Sequence, residues 1–222
     1  MPRKSRIDAS TVFMEAKAII DAILDFDQEK TAQRVRAHLD QGEDPLKILD
    51  QALIAAMDEV GRQFSAGVFF VPEMLMAAEA MRSGLEVLRP HLARSDIKAK
   101  GTIIIGTVKG DVHDIGKNMV AMMLECAGYS VIDLGVDVSK SKFLASAKKY
   151  QAHIVAISAL LSTTLAEMEA VVADVRTKGG GSLKTLVGGA PVTASFATDI
   201  GADGYSPDAA GAVSIVRSLL SA

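Results

Sequence analysis

Through the first part of the chain, apolar side chains recur every three or four positions, the spacing of amphipathic helices. Asp27, Asp44 and Pro72 are typical helix-start residues within this pattern. The pattern predicts four helices with short connections, which would pack as a four-helix bundle. We place this helical domain at residues 1–93 and interpret the polar stretch 94–100 as a linker.

From Gly101 onward the pattern changes to short apolar runs that alternate with helical segments. The runs predict five strands, each followed by a helix, at residues 102–107, 130–134, 154–159, 185–187 and 204–205. Such βα units over residues 101–222 predict an α/β domain with a flavodoxin-like (Rossmann-like), doubly wound five-stranded parallel sheet. Glycine usage agrees with this division, since only four of the 18 glycines precede residue 101.

Composition excludes several function classes. The chain has 24 basic and 27 acidic residues, a net charge of −3 and no basic block, which argues against a nucleic-acid surface. The longest apolar run, 154–161, is too short to span a bilayer, and the N-terminus lacks the apolar core of a signal peptide. The single cysteine cannot form an internal disulfide. We therefore expect a cytoplasmic protein with neither a nucleic-acid nor a membrane partner.

The loop after the first predicted strand carries the candidate chemistry. Gly106 and Gly110 are too far apart for a dinucleotide fingerprint, and Asn118 replaces the Ser or Thr of a P-loop. The loop does contain Asp111 two residues before His113. An aspartate at that distance can accept one ring N–H of the histidine, an arrangement typical of metal-bound histidines. A hydrogen bond that only stabilises the loop is the alternative.

The other histidines and the cysteine do not complete a metal site. A bare zinc ion takes three or four protein ligands. No metal-ligand spacing links His38, His91, His153 or Cys126. The sequence therefore predicts that His113 ligates a metal that brings its other ligands with it, as a macrocyclic cofactor does.

Three motifs at the predicted strand ends resemble those of cobalamin-binding proteins that hold the corrinoid base-off and histidine-on. They are D-x-H-x-x-G at residues 111–116, S-x-L at residues 158–160, and the pair Gly188-Gly189. In that family the benzimidazole tail of the cofactor leaves the cobalt and enters the domain. The resemblance implies that His113 is the metal ligand and replaces the tail as the lower axial ligand of cobalt.

The resemblance also implies a set of corrinoid contacts. Ser158 would hydrogen-bond the benzimidazole and Leu160 would pack on it, while glycines line the channel for the tail. Asp111 and Thr164 would form a catalytic set with His113 that supplies or stores a proton, because a hydroxyl extends the His–Asp pair in the methionine synthase relatives. The implied contacts in the α/β domain are Gly110, Asp111, Val112, His113, Asp114, Ile115, Gly116, Ser158, Leu160, Ser162, Gly188, Gly189 and Ala209.

Residues 61–73 of the helical domain resemble the cap of methionine synthase and of small methyltransferase corrinoid proteins. In those proteins the cap shields the upper, methyl-bearing face of cobalt. The resemblance makes Phe70 the candidate residue over the methyl group, and the linker the hinge on which the cap moves. The alternative is that Phe69, Phe70 and Met74 belong to the bundle core, as apolar residues at helical spacing usually do.

A cap plus a corrinoid domain implies a methyl carrier rather than a complete enzyme. One partner, a donor-specific methyltransferase, would methylate the cobalt, and a second, a corrinoid:acceptor methyltransferase, would pass the group to tetrahydrofolate or a thiol. A reductive activase is the third implied partner. Methylamines, methanol, glycine betaine and methoxylated aromatics, the substrates of O-demethylase systems, are the implied donors.

Three other functions stay open at this stage. A cobalamin-based light or redox sensor would pair a similar cap with a corrinoid domain, but the absence of tryptophan counts against it. The small subunit of an adenosylcobalamin mutase would lack the helical cap. A plain α/β binding module would bind no corrinoid.

Overall fold

The computed structural model describes residues 9–92 and 99–221, with side chains from residue 16 onward. These residues fall into two compact units that divide between residues 97 and 98. Most of the predicted linker, and the N-terminal residues 1–8, lie outside the described residues. No described helix is both long enough and apolar enough to cross a bilayer.

The first unit is helical over its described residues. Asp27 and Asp44 act as N-caps, since their carboxylates accept hydrogen bonds from the N–H groups of Lys30 and Leu46. The predicted third helix has a π-helical middle that joins α3 to α4 without a break. The elements are α1 (Ala9–Leu24), α2 (Gln28–Asp40), α3 (Pro45–Ile48), a π-helical segment (Leu49–Ile54), α4 (Ala55–Ser65) and α5 (Val71–Leu92).

A glycine allows a close helix approach in this unit. A Cβ on Gly84 of α5 would lie 3.1 Å from side-chain atoms of Leu53 and Thr31, so the two facing helices can approach closely only at this small residue. Met74 and Met81 on the same helix are fully buried. Helical spacing predicts an apolar stripe of Leu75, Met81, Leu85 and Leu88 on this helix. Met81 and Leu88 are buried, whereas Leu75 is 42% exposed, so only part of the stripe faces the neighbouring helices.

The second unit is a parallel sheet with helices. Strands β1 (Thr102–Thr107), β2 (Ser130–Asp133), β3 (Ile154–Ser158), β4 (Lys184–Gly188) and β5 (Gly204–Tyr205) form a sheet in the order β2-β1-β3-β4-β5. All four neighbouring pairs are parallel. The helices are α6 (Ile115–Cys126), α7 (Lys140–Lys149), α8 (Leu165–Lys178), α9 (Ala194–Asp199) and α10 (Ala209–Ser221), with a 3-10 turn at Ser162–Thr164. The flavodoxin-like fold expected from the sequence is confirmed.

The core of this unit lies on the central strands. Ile104 of β1 and Val155 of β3 are fully buried, and Phe143 of α7 packs so close to Gly106 that a Cβ there would lie 2.9 Å from the ring. In this strand order the connections from β1 and β3 leave the sheet in opposite directions. The switch point between β1 and β3 opens a crevice at their carboxyl ends, and this crevice positions the site.

A buried lysine fixes the start of α6. The Lys117 side chain is only 1% exposed, and its Nζ donates to the carboxylate of Asp133 at the end of β2 and to Asn118 Oδ1 at 2.6 Å. The helix begins at Ile115, and the Asn118 N–H bonds the carbonyl of Asp114 at 2.7 Å in its first turn. Lys117 is thus committed to an ion pair within the fold.

Candidate cofactor site

Asp111 is the fully buried hub of the loop after β1. Its Oδ1 accepts the backbone N–H of His113 at 3.0 Å and lies 2.7 Å from His113 Nδ1. Its Oδ2 accepts the backbone N–H groups of Leu160 at 2.7 Å and Leu161 at 3.1 Å. One carboxylate therefore joins the loop after β1 to the loop after β3, across the switch point.

These contacts fix the charge of Asp111. Burial by itself raises the pKa of the carboxyl group, but the four N–H donors outweigh burial and hold the pKa of Asp111 well below its ordinary range. The group is therefore an anion near neutral pH. Storage of a proton on Asp111, which the resemblance implied, would require some of these hydrogen bonds to break.

Thr164 contacts the same carboxylate, but more weakly. Its hydroxyl lies 3.3 Å from Asp111 Oδ2 and 2.8 Å from the carbonyl oxygen of Leu161. A hydroxyl has one proton to donate, and the shorter contact is to the carbonyl. Thr164 thus closes the 3-10 turn that presents the Leu161 N–H to Asp111, and its role in proton handling stays a prediction.

The Asp111 contact also determines which ring nitrogen of His113 is free. An ionised carboxylate can only accept, so Nδ1 carries the proton and Nε2 presents its lone pair. The His113 carbonyl is held as well, since it accepts the hydroxyl of buried Thr107 at 2.8 Å. The imidazole is 47% exposed. The loop therefore offers one oriented, accessible nitrogen ligand.

Apolar side chains flank this ligand. Val112 and Ile115 are 71% and 77% exposed, and Leu160 and Leu161 are 43% and 39% exposed. Val112, Leu160 and Leu161 belong to the two loops that Asp111 joins, and Ile115 is the first residue of α6. Exposed apolar side chains next to a single convergent polar group are typical of ligand sites.

Glycines shape the neighbouring strand ends. Ser158 at the end of β3 is in register with Thr107 of β1 and Gly188 of β4. A Cβ on Gly189, at φ +133°, would lie 1.9 Å from the carbonyl oxygen of Ala159. By contrast, a Cβ on Gly116 would meet no atom within 4 Å. Gly189 is therefore required by the fold, whereas Gly116 leaves open space beside the histidine loop.

The remaining predicted site residues occupy several environments. Ser162 is exposed at the start of the 3-10 turn, while Ala209 is buried at the first position of α10. Hydrogen bonds bring Gly110, Asp111, His113, Leu160 and Thr164 together, and strand register aligns Ser158 with Gly188. Val112 and Asp114 lie on the same loop as His113, and Ile115 and Gly116 begin α6.

Phe70 belongs to the first unit. Its ring is 63% exposed, so the core alternative is wrong for this residue, although Met74 is buried in the core. Phe69 is half-buried and packs on Phe26 with ring centroids 5.4 Å apart. The backbone N–H of Phe70 bonds Glu73 Oε2 at 3.0 Å, which caps the start of α5 and fixes the loop that carries the ring.

Sequence reasoning did not single out Asp137 in the loop after β2. Asp137 Oδ1 accepts the N–H of Gly110 at 2.7 Å, and Asp137 N–H donates to the carbonyl of Asp111 at 2.9 Å. Its position could have indicated it, because an aspartate in the loop after β2 lies at the same edge of the parallel sheet as the loop after β1. Leu161 was also not predicted, because a backbone N–H leaves no signature in a sequence.

The donor set fits a metal that brings its own ligands. Within residues 9–92 and 99–221, no group of three or more His, Cys, Asp or Glu side chains could hold a metal ion. A bare ion would have only His113 Nε2. A planar macrocycle would find that nitrogen, an apolar rim and open space at Gly116. The site therefore defines a macrocyclic-cofactor binder built on a flavodoxin-like fold.

Comparison with known proteins agrees. Residues 101–214 match a family described as the B12 binding domain, and residues 15–89 match a second family of that description. Trimethylamine corrinoid protein 1 of Methanosarcina mazei is 44% identical over 203 residues, which cover 90% of this chain and 94% of that protein. The chain belongs to the B12-binding corrinoid proteins of methyltransferase systems.

Two solved structures resemble the whole chain. The methanol:cobalamin methyltransferase complex of Methanosarcina barkeri superposes with a TM-score of 0.81 at 29% identity, covering 98% of this chain and 86% of that chain. A cobalamin-binding protein from Desulfitobacterium hafniense superposes with a TM-score of 0.80 at 29% identity, covering 93% and 98%. The relatives do not favour the sensor, mutase or corrinoid-free alternatives.

Proposed function

We propose that this protein carries a methyl group on the cobalt of a bound corrinoid, from a donor-specific methyltransferase to a second methyltransferase that uses tetrahydrofolate or a thiol. The observation that supports the proposal most directly is the oriented Nε2 of His113 amid exposed apolar side chains. Trimethylamine is the donor that we propose first, because the relative at 44% identity is described as a trimethylamine corrinoid protein. A reductive activase would return the cofactor to its active state.

When bound, the corrinoid would supply the cobalt that accepts and releases the methyl group. Each part of the site would help to hold or orient this cofactor. His113 Nε2 would ligate the cobalt of the corrinoid. Asp111 holds the imidazole as the Nδ1–H tautomer and so keeps Nε2 available. Gly116, Gly188 and Gly189 would make room for the benzimidazole tail of the cofactor, and Ser158 at the end of β3 would hydrogen-bond its base.

The donor is tested by direct transfer assays. The full-length protein is loaded with cobalamin, reduced, and mixed with purified methyltransferase partners for trimethylamine and for methanol. We expect methyl transfer from trimethylamine with the first partner. Transfer from methanol alone would change the donor and keep the carrier role, whereas a loaded protein that accepts no methyl group from any donor system would contradict the proposal.

Replacing His113 with Ala tests its role as ligand. The substitution removes Nε2, whereas the benzimidazole tail of the corrinoid would still anchor the cofactor. We therefore expect retention of the corrinoid to change less than the spectrum of the cobalt(II) form. We expect methyl transfer to slow by at least about tenfold, the lower end of the effect of removing even a partner of a metal ligand. Absorption and electron paramagnetic resonance spectra of the loaded protein measure the change.

His153 provides the matched control for that substitution. It lies in the same unit, at the start of β3, where its Nδ1 accepts the backbone N–H of Thr102 at 3.1 Å. His153→Ala removes a histidine with a structural contact, and we expect the spectrum to stay as in the unsubstituted protein. An unchanged cobalt(II) spectrum in His113→Ala would refute ligation.

We propose that Phe70 would shield the bound corrinoid from small ligands. Its ring is 63% exposed, and Val68, Val71, Leu75 and Met76 are exposed apolar neighbours in the chain. Phe70→Ala should change stability little, because the ring is not in the core. Cyanide should bind the loaded cobalt(III) protein several-fold faster. Val68→Ala, at an equally exposed position, is the control, and equal acceleration in both variants would contradict a specific role for Phe70.

A further inference from the structure

Asp137 has an unusual backbone conformation. Its φ is +52°, and among the described residues it shares a positive φ only with Phe26 and Gln151 outside glycine. Such a conformation is strained for a residue with a side chain, although aspartate tolerates it better than most. Strained residues persist where surrounding contacts hold them, and they cluster near functional sites. The contacts of Asp137 therefore indicate which part of the site its unusual conformation serves.

Both strong contacts of Asp137 go to the residues just before the candidate metal ligand. Its Oδ1 accepts the N–H of Gly110 at 2.7 Å, and its own N–H donates to the Asp111 carbonyl at 2.9 Å. Gly110 itself has φ +82°, so the chain turns here. Asp137 thus holds the backbone of residues 110 and 111, while the loop after β3 holds the Asp111 carboxylate.

The support behind Asp137 is firm. Val138 pairs with Val108 in a parallel bridge, and its N–H bonds the Thr107 carbonyl at 2.9 Å. On the other side, Gly135 accepts the N–H of Thr107 at 3.0 Å. Asp137 is therefore fixed on both sides by extensions of the β1–β2 pairing. Its side chain is exposed, so its contribution is to the geometry of the loop more than to the core.

We propose that Asp137 is a positioning residue that sets the reach of His113 Nε2 toward the cofactor metal. The proposal rests on the proposed function, because it assumes that His113 is the ligand. The position of Nε2 depends on where the Asp111 backbone lies as well as on the carboxylate that orients the imidazole. Loss of the Gly110 contact leaves the Asp111 backbone held by its two backbone hydrogen bonds, to Val108 and to residue 137, but frees the Gly110 N–H. The turn at Gly110 is then less fixed, and the ligated state becomes less populated.

Three variants separate the acceptor, the charge and the backbone conformation. Asp137→Gly keeps the left-handed conformation and removes the acceptor. Asp137→Asn keeps an acceptor oxygen and tolerance of that conformation but removes the charge. Asp203→Gly is the control, because Asp203 Oδ2 accepts the Thr185 N–H at 2.8 Å in the same way, at the opposite edge of the sheet.

The readout is the nitrogen splitting in the electron paramagnetic resonance spectrum of the full-length protein loaded with cob(II)alamin. With ¹⁵N-histidine protein, a histidine ligand gives a twofold splitting, whereas a nitrogen from the cofactor's own base keeps a threefold splitting. We expect the ratio of histidine-ligated to unligated cobalt to fall by about tenfold in Asp137→Gly, the equivalent of one charge-assisted hydrogen bond. We expect a fall of less than about threefold in Asp137→Asn, since a neutral acceptor remains.

The outcomes distinguish this proposal from the proposed function. A wild-type ratio in Asp137→Gly, or an equal loss in Asp203→Gly, would overturn the positioning role. A histidine splitting absent from the unsubstituted protein would overturn the ligand role of His113 instead. In that case ¹⁵N-histidine NMR of the protein without added corrinoid still tests the role of Asp137. The ring nitrogen signals of His113, which report its tautomer, should shift in Asp137→Gly and stay unchanged in Asp203→Gly. Unshifted signals in Asp137→Gly would contradict the proposal.

Discussion

Gly189→Ala is expected to lower the free energy of unfolding by at least about 3 kcal/mol and to abolish cobalamin uptake. The new Cβ would lie 1.9 Å from the carbonyl oxygen of Ala159, at a φ of +133° that side chains rarely adopt. The obstacle is backbone, which cannot turn aside as a flexible side chain could. Relief would require the ends of β3 and β4 to separate, where Ala159 N–H bonds the Gly188 carbonyl at 3.2 Å. Urea unfolding and absorbance titration with cobalamin measure the two effects.

Gly116→Ala is the matched control for that substitution. Its Cβ would meet no atom within 4 Å, and the position lies in the first turn of α6. Alanine there should leave stability unchanged or raise it by roughly 0.5–1 kcal/mol, because glycine is the weaker helix former. If Gly116 lines the tail channel, cobalamin uptake should still fall. Equal urea midpoints for Gly189→Ala and the unsubstituted protein would contradict the steric argument.

Asp111→Asn is expected to be the second most damaging substitution, at about 3–4 kcal/mol. Whichever oxygen becomes the amide, its NH₂ faces two N–H donors, either those of His113 or those of Leu160 and Leu161. Because Asp111 is fully buried, the donors that face the new NH₂ group lose a charged acceptor. Urea unfolding at pH 7 measures the loss. Asp114→Asn, on the same loop but exposed, should change stability by less than about 0.5 kcal/mol.

The loss in Asp111→Asn depends on pH in a defined direction. Because folding lowers the pKa of Asp111, its stabilisation is present above the pKa of the unfolded chain, about 3.9, and is lost as the pH falls toward the folded value. The difference between the two proteins should therefore be full at pH 7 and should shrink below about pH 4. A difference that grows on acidification would contradict an ionised Asp111.

Much of the fold could be predicted because its signals are local. The β-branched run at Thr102–Thr107 gives β1 with the predicted bounds, and the alternation of runs and helices gives the parallel sheet. The histidine loop could also be predicted, since Asp111 and His113 are only two residues apart and contact each other at 2.7 Å. In each case the residues that carry the information are neighbours in the chain.

The rest depends on contacts between distant residues. Asp137 bonds Gly110 from 27 positions away, and no spacing rule connects an aspartate after β2 to a glycine after β1. The contacts from Leu160 and Leu161 to Asp111 use backbone N–H groups, which every residue except proline has. The π-helical segment Leu49–Ile54 lies in a stretch whose apolar spacing predicts an ordinary α-helix. Tertiary geometry decides these features.

The ion pair of Lys117 with Asp133 constrains how the sequence can drift. Replacing Asp133 alone would leave the buried Lys117 ammonium without its anion. Loss of one partner of a fully buried pair typically costs about 3–5 kcal/mol, and the cost here is lower because the Asp133 side chain is 40% exposed and water reaches it. Replacing both partners of a buried pair by well-packed apolar residues is often neutral or stabilising. Substitution of either residue alone therefore lowers the stability of the fold, whereas substitution of both together need not. We therefore expect these two positions, 16 residues apart, to change together rather than singly among related proteins.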